Sequence, residues 1–139
     1  MTHTTTVLFI QRFPCRGVVG SWCGARDWVR NIIAAIHAGD FYASTGVALR
    51  KLSRDEHGIS LIIEPENGVT YSTQFVGTRR STGKVGEVLA EVRGASARYR
   101  FTGDERYVRA VVTSSKRRID PVSGDTLDYE KAWIQPIMR

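Results

Sequence analysis

The chain has 139 residues, 42% hydrophobic and 24% charged, which suits one domain with a real core and hardly two. That balance excludes a mostly disordered chain, and no apolar run approaches the roughly 18 residues of a membrane-spanning helix. Lys and Arg number 20 against 14 Asp and Glu, a net charge of +6, so the chain is basic without being a polycation.

Residues 1–25 carry weak order signals. Thr4 to Thr6, Pro14, Gly17, Gly20 and Gly24 punctuate them. The apolar stretch Val7 to Ile10 is too short for a signal-peptide core, and no Lys or Arg precedes it. A soluble, cytoplasmic chain is expected. Cys15 and Cys23 read as two ordinary thiols, because nothing supports an oxidising compartment. A structural zinc site needs about four closely spaced ligands, and His3, His37 and His57 are scattered.

A helix is predicted over about 27–38. Trp28, Ile32, Ala35 and Ile36 recur at helical spacing, Asp27 suits its first turn and Gly39 its end. Asp40 to Gly46 then reads as a helix exit, an extended aromatic and small-residue stretch, and a turn glycine.

From Leu49 onward the period is two. Ile59 to Glu64 is a predicted strand, closed by Pro65 and the Asn67-Gly68 turn, with Thr70 to Val76 as its hairpin partner. Val85 to Val92 follows, with Val88, Ala90 and Val92 on one face. Ala97, Tyr99 and Phe101 alternate with Arg98 and Arg100. Gly103-Asp104 is a turn, Arg106 to Thr113 a strand, and Lys116 to Asp128 a polar loop. Ala132 to Met138 is the last strand, placed at an edge or a bulge by Pro136. Six short strands argue for a mostly β chain: a small antiparallel β-sandwich over 47–139, preceded by one helix and a loose segment over 1–46.

Candidate chemistry is sparse. No phosphate-binding loop, nucleophile elbow, His-Glu-x-x-His or EF-hand pattern occurs. His57 lies in a polar turn and His37 late in the helix. Arg79, Arg80, Arg98 and Arg100 are the candidate anion-binding residues, because some would share a sandwich face. Interleaved acids such as Glu87, Glu91, Asp104 and Glu105 weigh against nucleic acid. Tyr99 and Phe101 are placed in the core rather than on bases.

Three segments together resemble one family. Ala38 to Gly46, with Phe41, Tyr42, Ser44, Thr45 and Gly46 as its core, resembles the helix exit near the end of PHP-type barrels, the polymerase and histidinol phosphatase metal-dependent phosphoesterases. Phe75 to Arg80 resembles the β-rich part that follows the barrel. Gly103 to Ser115, with Ala132 to Ile137, resembles its closing strands. The similarity covers about residues 26–139 and is strongest to carbaryl-hydrolase-like metallohydrolases.

The resemblance implies divalent manganese, zinc or iron held by His and Asp or Glu ligands along a barrel. This chain lacks the early His-x-His and late Asp-x-His pairs. His3 stands about where the late pair falls and reads as a relic ligand. The expectation is a truncated, non-catalytic end of such an enzyme, with residues 1–46 as a barrel remnant and the sandwich supporting the barrel and substrate cleft. It binds no cofactor alone. Its expected partners are the missing barrel portion or a second copy through the apolar helix face, with no membrane. The alternative is a basic binding module for an acidic partner or nucleic acid.

Overall fold

A computed structural model of the protein describes residues 7–9, 30, 33–34, 37, 41–120 and 122–139. Among these, ten strands run in chain order. They are β1 (Val7–Phe9), β2 (Tyr42–Ser44), β3 (Leu49–Asp55), β4 (Gly58–Ile63) and β5 (Tyr71–Arg79). Then come β6 (Glu87–Arg93), β7 (Ser96–Arg100), β8 (Glu105–Ile119), β9 (Thr126–Ile134) and β10 (Ile137–Met138). The large sheet has the order β1-β2-β9-β8-β5-β6, with β10 also on β8; the small sheet is β3-β4-β7. All pairings are antiparallel. The chain is mostly β and antiparallel, as its alternating residues predict.

The core lies between the two sheets. Ile59, Leu61 and Ile63 of β4 and Ala97 and Tyr99 of β7 are buried from one side. Phe75 of β5, Val108, Ala110 and Val112 of β8, and Ala132 and Ile134 of β9 are buried in the same cluster from the large sheet. Phe75 and Tyr99 stack across it, ring centroids 5.3 Å apart. Each of the large aliphatic and Phe side chains among these contributes about 1.5–3 kcal/mol by leaving water.

Several elements depart from their sequence reading. β4 and β5 are not a hairpin: β4 pairs β3 and β7, whereas β5 pairs β6 and β8. Both carry buried alternate residues, and those rows face each other across the core instead of lying side by side. The segment after Ile63, with Gly68 at φ +75°, therefore crosses between sheets. β3 escaped notice because a register shift between Leu49 and Lys51 breaks its alternation, so Leu49 and Leu52 both turn inward. A second shift in β6 puts Val88 outside at 51% exposure while Ala90 stays with the core.

Residues 116–128 are not one loop. β8 continues to Ile119 and β9 begins at Thr126, a ribbon with Arg117 paired to Tyr129 and its guanidinium 4.9 Å from that ring. Its exposed side chains show no apolar alternation, which is why its sequence reads as a loop. The last predicted strand divides into β9 and β10 around Pro136. Val7–Phe9, too short to read as a strand, pairs with β2.

The helix predicted over 27–38 falls largely outside the described residues. Its described positions, Arg30, Ile33, Ala34 and His37, are helical and exposed. His3, Cys15 and Cys23 also lie outside the described residues.

Candidate functional site

The Phe41–Gly46 motif is a joint between the sheets. β2 pairs β9 through Tyr42–Ile134, Ala43–Trp133 and Ser44–Ala132. The chain then turns into β3 of the small sheet. Buried Ser44 donates its hydroxyl to the Val47 carbonyl at 2.6 Å and accepts from the Gly46 amide at 3.1 Å. The Lys131 amide donates to the Thr45 hydroxyl at 2.9 Å, and the Thr45 amide donates to the Lys131 carbonyl at 2.9 Å. The Leu49 amide donates to the Tyr42 hydroxyl at 3.1 Å. A Cβ at Gly46 would run into the carboxylate of Glu130. Small residues stand here because backbones and side chains approach closely. Phe41 is half-buried beside them. These polar atoms are spent on the fold.

Glu105, which counts in the sequence only as one of several interleaved acids, is fully buried at the start of β8. Its carboxylate accepts from the Tyr99 hydroxyl at 2.7 Å, the Thr102 amide at 3.0 Å, the Thr102 hydroxyl at 2.9 Å and the Gly103 amide at 3.0 Å. Burial by itself would raise its pKa, but these hydrogen bonds to the charged form outweigh burial and hold it down at about 2. Tyr99 moves the other way, to about 12, through burial and its bond to Glu105. A carboxylate whose oxygens are filled by the chain's own donors is a poor proton carrier. Its work is to fasten the turn between β7 and β8.

The four candidate arginines do not converge. Arg79 ends β5 and lies 3.8 Å from Glu87. Arg80 donates to the Arg139 carbonyl at 3.0 Å, and its amide donates to the carbonyl of Asp104. Arg98 and Arg100 stand together on the outer face of β7, both exposed.

That outer face holds a feature the sequence did not disclose. Lys51, Ser60, Ile62, Ser96 and Arg98, with Leu61 and Ala97 behind them and Val92 of β6 at its border with the large sheet, line an open groove of about 470 Å³. Ser60 and Arg98 were visible as outward positions of alternating strands. Lys51 was not, because the bulge in β3 hides its register.

His57 is exposed in the turn between β3 and β4, 3.3 Å from Glu56. Among the described residues, no group of three or more His, Cys, Asp or Glu is placed to hold a metal ion. No helix among the described residues is long and apolar enough to cross a membrane. No family model matches the chain, and neither a curated protein nor a solved structure matches it significantly.

Proposed function

We propose that the chain is the carboxy-terminal β-rich part of a PHP-type metal-dependent phosphoesterase of the carbaryl-hydrolase-like subgroup. In this reading it is not catalytic alone, and it supports the barrel and borders the substrate cleft in the parent enzyme. One observation supports it. The segments that carry the resemblance, 38–46 (described from Phe41 onward), 75–80, 103–115 and 132–137, are far apart in the chain. They nevertheless fall on the neighbouring strands β2, β5, β8 and β9 of one sheet and on the short segments that adjoin those strands. Residues that set the register of adjacent strands are the ones a shared scaffold must keep, because a one-residue slip turns every side chain to the wrong face.

The DNA immediately upstream of Met1, read in all frames, is expected to encode barrel strands with a His-x-His pair. Upstream DNA without that coding potential would count decisively against the reading.

A purified sample supplied with manganese, zinc or iron is expected to hydrolyse phosphate and carbamate esters no faster than background. Metal hydrolysis needs several rigidly held ligands and an open position for water, and a single relic histidine cannot supply them. Turnover that disappears in His3→Ala would overturn the non-catalytic reading.

A further inference from the structure

We propose that the outer face of the small sheet binds a phosphate group between Lys51 and Arg98. The proposal does not rest on the family reading above; it rests on what three strands bring to one surface. Their register sets Lys51 beside Ile62 and Ile62 beside Ser96. In the next row Ser53 stands beside Ser60 and Ser60 beside Arg98. Gly58 pairs Arg100 in the third row. Side chains at these positions share the face turned away from the core, since Ile59, Leu61, Ala97 and Tyr99 point inward and are buried. The groove along this face thus has a cation at each flank and hydroxyls at Ser60 and Ser96.

Two features separate this groove from the other basic groups. First, its lining contains no carboxylate. Several other cations sit directly beside acids: Arg50 with Glu64 at 2.7 Å, Arg79 with Glu87, Lys116 with Glu66 at 2.9 Å, and Lys131 with Asp128 at 2.6 Å. Among the described residues, Lys51, Arg98 and Arg100 form no ion pair. The nearest acid in the register, Asp55, accepts from the His57 and Gly58 amides at 2.8 and 2.9 Å and is committed to its turn. Second, the face is firm. It is the back of a sheet whose front is the core, so the cations are presented by strands and not by a loop.

The chemistry selects a phosphate group over other ligands. An arginine fork and a lysine ammonium match a tetrahedral oxyanion, and the serine hydroxyls donate to its remaining oxygens. Stacking on bases is not available, because Tyr99 is buried in the core and Phe101 packs against that core and under Arg139. Recognition is therefore of the phosphate alone, whether from a small phosphorylated molecule or from a nucleic-acid backbone.

The test is an amide NMR titration of isotope-labelled protein with inorganic pyrophosphate. Saturable shifts are expected at residues 51, 60, 62, 96 and 98, and the double variant Lys51→Ala/Arg98→Ala should weaken binding by about tenfold or more. Both side chains are exposed, so the variant should keep its melting temperature. The control Arg79→Ala/Arg80→Ala should bind as the parent does. A parallel titration uses a thymidine oligonucleotide of roughly ten residues. Tighter oligonucleotide binding, with a salt slope shallower by about 0.7 for each cation removed, assigns the phosphate to a polynucleotide backbone. Equal or weaker oligonucleotide binding assigns it to a small molecule. Three results would each overturn the proposal: no saturable shift at about 10 mM pyrophosphate, shifts centred on Arg79–Arg80 or Lys116–Arg118, or unchanged affinity in the Lys51/Arg98 variant.

Discussion

Replacing Glu105 by alanine is expected to lower the unfolding free energy by about 3 kcal/mol, the cost of leaving the buried Tyr99 hydroxyl and the Thr102 and Gly103 amides without an acceptor. Glutamine at this position is also expected to destabilise, because its amide adds donors where four donors already converge. The same carboxylate sets a pH dependence. Its pKa falls from an ordinary 4.5 to about 2 on folding. A depressed carboxylate adds stability above its unfolded pKa and loses that contribution as pH falls through the folded one. The protein should therefore lose up to about 3 kcal/mol between pH 4.5 and 2 from this group. Glu105→Gln should flatten that part of the profile. Urea unfolding at pH 7, 4.5 and 2.5, with parent and variant side by side, measures both effects. An unchanged acid limb in Glu105→Gln would show that other carboxylates govern acid unfolding.

The second large effect is expected at Phe75. Its ring is fully buried between the sheets and stacked on Tyr99. Truncation to alanine removes the ring from the core and leaves a cavity, a change that costs about 3–5 kcal/mol in well-packed interiors. Loss of the ring pair adds to this. Small domains are stable by only about 5–15 kcal/mol in total, so Phe75→Ala should unfold at much lower urea and bind a hydrophobic dye under mild conditions. Phe75→Leu should be milder, because it keeps most of the apolar volume. A midpoint for Phe75→Ala within about 1 kcal/mol of the parent would mean that Phe75 does not join the two sheets.

These two positions illustrate how unevenly the fold can be read from the chain. Phe75 lies in a run whose alternation predicts a strand, and its burial follows from that period. Glu105 gives no such signal. A carboxylate is a surface residue by default, and only the meeting of Tyr99, Thr102 and Gly103 around it makes burial tolerable. The register shifts in β3 and β6 are a further limit. One extra residue turns Lys51 outward and Val88 away from Ala90, and nothing in the local composition announces it. The ribbon that pairs Arg117 with Tyr129 is silent in the sequence for another reason: both residues are exposed, so no apolar face marks the strands.

The candidate site divides in the same way. Arg98 and Arg100 were visible as outward positions on β7, because the buried Ala97 and Tyr99 between and beside them mark the inner face. Whether Arg79 and Arg80 join them depends on which strands adjoin, which local pattern does not fix. The sheets answer otherwise: Arg79 ends β5 in the large sheet, and Arg98 shares its face with Ser60 and Lys51 of the small one.

What the amino-acid sequence determined by itself is the mostly β, antiparallel character of the chain, through side-chain alternation in β4, β5, β7 and β8. Alternation is a local property, since each residue's face follows from its neighbours along the strand. Which strands pair, which cross between sheets, and which buried acid and exposed cations meet were decided only by the tertiary structure. Those outcomes depend on how two apolar faces close over each other. That closure is a long-range choice among chains of similar local pattern, and it seated Phe75 on Tyr99, closed donors around Glu105, and left Lys51 and Arg98 on one free face.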